Sequence, residues 1–178
     1  MAHREQREFC SKIRNQFPAY FVGKKVLDCG SLDINGNNRY LFEDCEYLGI
    51  DIGVGKNVDI VSTIHEFEGA SNSYDFIIST ECFEHDMHYA DSLSNIVRML
   101  KPGGMLLFTC ATTGRPEHGT RRTSPKDAPF LDGEWSDYYK NLAEGDIRAV
   151  LSVEEIFSDF KFEVNTVHND LMFYGIKK

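Results

Sequence analysis

Val26-Leu27-Asp28-Cys29-Gly30-Ser31 and Tyr47-Leu48-Gly49-Ile50-Asp51 are two short, mainly apolar runs, the first broken by a glycine and the second closed by an acid. Runs of this length, bounded by turn-forming residues, read as buried strands rather than helices. Residues 37–43 between them leave room for only a short helix. Outward from this pair, Val58-Asp59-Ile60-Val61 reads as a third strand and Tyr74-Asp75-Phe76-Ile77-Ile78-Ser79 as a fourth. Leu93, Ile96, Val97 and Leu100 keep the i, i+3, i+4, i+7 spacing of a helix, and Lys101-Pro102-Gly103-Gly104 ends it with a turn. Met105-Leu106-Leu107-Phe108-Thr109 is then a central strand, apolar on both faces as a parallel sheet requires. Towards the N-terminus, Phe9, Ile13 and Phe17 form one stripe of a helix over 5–17 that Pro18 stops. Towards the C-terminus, Ser152-Val153-Glu154-Glu155 has the form of a capping box opening a helix, with Ile156, Phe157 and Phe160 on its apolar side. Phe162–Val167 and Leu171–Ile176 read as two closing strands, paired as an antiparallel hairpin through a tight Asn169-Asp170 connection. Strands alternating with helices define an α/β domain.

The chain of 178 residues suits one domain over 1–178. Its periodicity vanishes from Ala111 to about Gly145, and an irregular tract of that length marks a lid or substrate loop. A net charge of −9 and a pI near 5.1 argue against a sequence-independent grip on nucleic acid. No apolar run reaches the roughly 18 residues of a membrane span, and the stretch from Met1 to Glu8 lacks the apolar core of a secretory signal. A cytoplasmic protein is expected. The cysteines are Cys10, Cys29, Cys45, Cys82 and Cys110, with no C-x-x-C pair, so neither disulfides nor a structural zinc are expected.

In open α/β sheets ligands sit outside the carboxyl ends of the strands, so the residues just after each apolar run matter most. After the first strand, Gly30 and Gly36 allow backbone to approach a ligand closely. Asp51 ends the second strand about twenty residues beyond the glycine turn, where a carboxylate can accept both hydroxyls of a ribose.

Together these segments resemble the class I S-adenosylmethionine-dependent methyltransferases. The first run looks like their first motif, Leu48-Gly49-Ile50-Asp51-Ile52 like the second, and Tyr74 to Ser79 with Thr80-Glu81 like the strand-four motif. Glu84-His85 followed by Lys101-Pro102-Gly103-Gly104 is similar to the small-molecule branch of that family. The resemblance implies a Rossmann-like, doubly wound, mostly parallel seven-stranded sheet with a C-terminal antiparallel hairpin, and S-adenosyl-L-methionine as cofactor. It places Gly30 with Ser31, Asn35 or Gly36 along the cofactor's methionine part, Asp51 with Ile52 at the ribose and Thr80 with Glu81 near the amino group, and it makes Asp28 either an organiser of the cofactor or a tether of its own loop. Two departures stand out. The usual second glycine of the first turn is absent until Gly36, and Thr63-Ile64-His65 occupies the place of an acid that commonly reads the adenine.

His85 is the candidate base for an acceptor hydroxyl, against a structural role capping the next helix. Glu81, Glu84, His85, Asp86 and His88 crowd together, but an inverted zinc-protease motif needs histidine where Glu81 stands, so no metal is expected. In the loop, Arg115, His118, Arg121 and Arg122 concentrate positive charge suited to an anionic substrate, and Tyr138 and Tyr139 are candidate walls of its pocket. The expected activity is methyl transfer to oxygen of a small or glycan-like, anionic acceptor. The alternatives are a non-catalytic methyltransferase-fold partner subunit and a nucleic-acid methyltransferase.

Overall fold

The computed structural model describes residues 3–178; Met1 and Ala2, which begin the stretch read for a secretory signal, lie outside the described residues. Seven strands form one sheet: β1 (Lys25–Cys29), β2 (Glu46–Asp51), β3 (Ile60–Val61), β4 (Tyr74–Thr80), β5 (Leu100–Ala111), β6 (Phe157–Asn165) and β7 (Asp170–Lys177). Their order is β3-β2-β1-β4-β5-β7-β6. The first five run parallel, and β7 enters antiparallel beside β5 and pairs with β6 as a hairpin. The middles of the central strands, Val26-Leu27, Phe76-Ile77-Ile78 and Met105 to Phe108, are apolar and wholly buried because both faces are covered.

One face carries α1 (Arg4–Gln16), which buries Phe9, Cys10 and Ile13 against Val26, Phe76, Ile78 and Leu107. The other carries α2 (Tyr89–Met99), α3 (Glu144–Val150) and α4 (Val153–Ile156), whose Leu93, Ile96, Met99, Ile147 and Val153 join Leu27, Ile77, Leu106 and Phe108. Pro18 stops α1 as its ring requires, and the chain turns through Pro18–Phe21 into β1.

Several expected boundaries move. Leu100 leaves the helical pattern and opens β5, pairing with Tyr74, while Phe76 pairs with Met105. Lys101 to Gly104 therefore loop out opposite Asp75, whose carboxylate accepts the Lys101 ammonium at 2.7 Å and the Lys25 N–H at 2.9 Å. The third strand shrinks to Ile60–Val61, both exposed at the sheet edge. Ser152 makes no side-chain cap, and α4 ends at Ile156. Phe157 instead opens β6, where the Phe157 and Phe162 rings lie 5.4 and 4.6 Å from Phe173 on β7. Cross-strand aromatic packing here outweighs a capping box. Residues 166–169 form the hairpin turn, with Asn169 left-handed at φ 57°, so the tight connection is a four-residue one. α3 arises at the end of the tract read as loop; the Asp146 carboxylate accepts the Ala143 N–H at its first turn.

Candidate active site

The turn after β1 is built from backbone and three short polar side chains. Gly30 sits at φ 78°, and the N–H groups of Gly30 and Ser31 both donate to the Ile50 carbonyl, at 2.9 and 3.0 Å. A Cβ at Gly30 would stand 2.5 Å from Cys82 Sγ, so glycine is required here by conformation and by space. The missing second glycine is replaced by a longer turn that Asp33 organises: its carboxylate accepts the Gly36 N–H at 2.7 Å and the Asn37 amide at 2.8 Å, and meets Lys56 at 2.7 Å. At the end of β2, the Asp51 carboxylate accepts the N–H groups of Leu32 and Ile52, at 3.0 and 2.8 Å. Burial raises its pKa, and these two bonds work against the rise.

These carboxyl ends border a cavity of about 970 Å³ of atom-free space, its open mouth included. Asp28, Asp51, Glu81, Asp86 and Asp127 line it, with no lysine or arginine among the described lining residues. Asp28 is buried, which pushes its pKa up to about 6 although the Tyr47 O–H donates to its Oδ2. Its Oδ1 has no partner among the described residues. The roof comes from the loop after β5: Asp127 to Leu131 and Trp135. Phe130 lies so close over Gly53 that a Cβ there would fall 2.4 Å from its ring.

Behind the cavity lies a charged cluster. Glu81 takes a left-handed backbone, φ 53°, at the end of β4 and accepts the Thr109 hydroxyl at 2.8 Å. His3, capping α1, places Nε2 3.5 Å from Glu81 and 3.2 Å from Asp170. Burial opposes ionisation of Glu81, yet His3 and its other partners outweigh it and hold the carboxyl at about 2; burial likewise works against His3, but Asp170 and Glu81 raise its pKa to about 9. Next to this cluster, Glu84 is wholly buried, and burial together with the Glu81 charge raises its pKa to about 8. Burial, with His118 beside it, lowers His85 to about 3.

Of the residues singled out from sequence, Asp28, Gly30, Ser31, Asn35, Gly36 and Asp51 line the cavity. So do Ile52, Thr63, Ile64, Thr80, Glu81 and His85. His65 does not; its ring lies 4.2 Å from that of His88 and faces Trp135. The loop cations also stay outside the lining. Arg115 donates to Asp170 at 2.9 Å and to the His168 carbonyl, Arg121 pairs with Asp137, and Arg122 with Glu117 and Asp137. These guanidinium groups are engaged with the protein's own acids, Arg121 and Arg122 within the loop and Arg115 across to the β6–β7 hairpin. Tyr139 packs against His85 and His118, and Tyr138 is half-buried beside Lys140. Sequence reading missed Asn38, whose amide donates to Thr80 Oγ1 at 3.0 Å, and Phe130, an isolated aromatic in a polar loop. The isolation of Phe130 and Leu131 was the available signal; nothing local marked His3.

A family model described as a methyltransferase domain matches residues 1–143. Among curated proteins, phosphoethanolamine N-methyltransferase 2 of Caenorhabditis elegans is 25% identical over 127 residues, 62% of this chain and 29% of that protein. The chain thus spans under a third of that relative's length. Among solved structures, a Burkholderia thailandensis 1,6-didemethyltoxoflavin-N1-methyltransferase with bound 1,6-didemethyltoxoflavin and S-adenosylhomocysteine superposes with a TM-score of 0.66 at 13% identity, covering 97% of this chain and 78% of its own. A Haemonchus contortus phosphoethanolamine N-methyltransferase 2, in complex with phosphomonomethylethanolamine and S-adenosylhomocysteine, gives 0.67 at 18% identity, with 96% and 52% covered.

Proposed function

The chain belongs to the methyltransferase-domain family, and from that premise we propose that it transfers a methyl group from S-adenosylmethionine to a nitrogen of a small-molecule acceptor. The observation that carries this reading is the acid-lined cavity at the carboxyl ends of β1, β2 and β4, which suits a ligand carrying an ammonium and a sulfonium. The unpartnered Oδ1 of buried Asp28 fits the same ligand. S-adenosylmethionine supplies an electrophilic methyl group on its sulfonium.

The chain's own residues then have distinct tasks. Asp51 accepts the ribose hydroxyls; Ile52, Thr63 and Ile64 border the base; Asp28 and Glu81 attract the ammonium. Phe130 and Trp135 roof the cavity and exclude water. Alignment of a free amine lone pair with the methyl group needs positioning more than proton removal. The acid-lined cavity, without lysine or arginine among the described lining residues, suits an amine, and the three N-methyltransferases named above act on nitrogen by their names. Nucleic acid is disfavoured by the same carboxylates.

Calorimetric titration with S-adenosylmethionine and S-adenosylhomocysteine, followed by methyl-label transfer to panels of amines and of alcohols, tests the reading. Saturable binding with label in amines is expected. Absence of binding by the folded protein overturns the cofactor, and label confined to alcohols overturns the nitrogen.

A further inference from the structure

We propose that Glu84, His85 and His118 form a site for one divalent transition-metal ion of the zinc class, behind the wall of the cofactor cavity. Glu84 and His85 lie in the single turn Phe83–His85 that follows β4, and His118 comes from the loop after β5. One ligand atom from each lies within 4.8 Å of the others. Glu84 is fully buried, and neither of its carboxylate oxygens has a hydrogen-bond partner among the described residues. His85 Nδ1 and His118 Nε2 are buried and unpartnered in the same way. A buried carboxyl and two ring nitrogens thus lie together without hydrogen-bond partners among the described residues, and a bound cation would satisfy all three groups.

The tautomer of His118 points the same way. Its Nδ1 lies 3.2 Å from the Pro116 carbonyl, so Nδ1 carries the proton and Nε2 offers its lone pair towards Glu84 Oε1, 4.0 Å away. A backbone carbonyl fixing one ring nitrogen is how ligating histidines are commonly oriented. The His85 and His118 rings stand at 89°, so they do not stack on each other, and Tyr139 closes the third side at 5.5 and 5.1 Å from them. Glu84 is held in place through its carbonyl, which accepts the Lys140 N–H at 2.9 Å.

An ion fits this place better than an organic ligand. Glu84 and His118 are not among the residues lining the cavity, and Glu84 is wholly buried. Two imidazoles and one carboxylate are ligands that zinc-class ions accept. Bonds of about 2.0–2.1 Å require the three atoms to draw together, which the loop position of His118 permits. The ion would tie the loop after β5 to the end of β4 and fix His85, which lines the cavity. This inference stands apart from the cofactor reading, since it uses none of the residues assigned to it.

The test uses the full chain dialysed against a chelator and titrated with Co²⁺, whose visible absorption reports coordination. We expect uptake of about one equivalent, displacement by Zn²⁺ and a rise in melting temperature with Zn²⁺. His118→Ala, in a loop, should weaken Co²⁺ binding by more than the roughly 10- to 100-fold that loss of an outer partner causes, with S-adenosylhomocysteine binding retained. Glu84→Gln, if folded by circular dichroism, should do the same; if it is not, His118→Ala decides. No uptake by the wild-type chain, or unchanged uptake in His118→Ala, overturns the site.

Discussion

Replacing Asp51 separates two tasks that one carboxylate performs. Its oxygens accept the N–H groups of Leu32 and Ile52, so it holds the turn after β1 against the end of β2. They also line the cavity, where the cofactor's ribose is proposed to lie. Asp51→Ala removes both hydrogen bonds. The two donors sit at half-buried positions where water can reach them, so the loss falls at the low end of the range for such groups, about 1–2 kcal/mol. For a chain of 178 residues that is roughly 2–8 °C in melting temperature. Loss of the ribose contact should cost a further 1–3 kcal/mol of binding, about 5- to 150-fold in the dissociation constant of S-adenosylhomocysteine. Asp51→Asn keeps one oxygen and should fall between wild type and alanine in both measurements. Thermal melts and calorimetric titration on the three proteins read the two effects separately. A folded Asp51→Ala with wild-type affinity would refute the ribose assignment, and a fall in melting temperature alongside it would leave the acid as a turn residue only.

Two further outcomes follow from neighbouring groups. Phe130→Ala should weaken S-adenosylhomocysteine binding about fivefold, through lost apolar cover worth about 1 kcal/mol, while a melt shows little change because the ring is only half-buried; Gly53→Ala, which displaces that ring, should do the same. His3 predicts a pH dependence of stability. Its folded pKa of about 9 lies above the ordinary 6.5, so its contribution is complete below pH 6.5 and fades as pH rises through 9. The charges facing it are Glu81, Asp170 and Glu5, with the His168 ring 4.7 Å away and Arg115 shared by Glu81 and Asp170. Solvent reaches part of the ring, 15% of the side chain being exposed, so the contribution is about 1–2 kcal/mol. Denaturant melts at pH 6.5 and 9.5 should show this loss in wild type and not in His3→Gln; equal losses in both would discard the His3 linkage.

What was legible in the sequence was whatever a short local pattern carries. The strands around Leu27, Ile50, Ile77 and Leu107 announced themselves because both faces of a parallel strand are buried, and the acid and glycine at their ends marked the crevice. Val58-Asp59 did not continue as strand because the Asp59 carboxylate accepts the Gly49 N–H at 2.7 Å and pairs with Arg39, a tie that pattern does not reveal. The capping box at Ser152 was overridden by Phe173, more than a dozen residues away in sequence. The loop arginines could be read either as substrate anchors or as balanced by loop acids such as Asp137, but the Arg115–Asp170 pair joins residues that only folding brings near. His3 and Asn38 belong to this second kind: both act through residues far along the chain.

The loop after β5 meets a physical need that the pattern of strands creates. Between β1 and β2 the chain has only the turn Arg39–Leu41, and no helix lies between β2 and β4, so the edge of the sheet around β3 has little of its own to cover it. Ile60 and Val61 remain exposed there, as does Val54. Gly53 would share that exposure if Phe130 did not lie across it. Burial of Phe130 therefore covers this edge and roofs the cavity in a single contact. A ligand that fills the cavity adds surface for the same ring, so loop order and ligand affinity draw on one contact and must change together. Gly53 is the counterpart in sequence: a side chain there would lift the ring and open the roof, while one at Gly55 would strike Leu32.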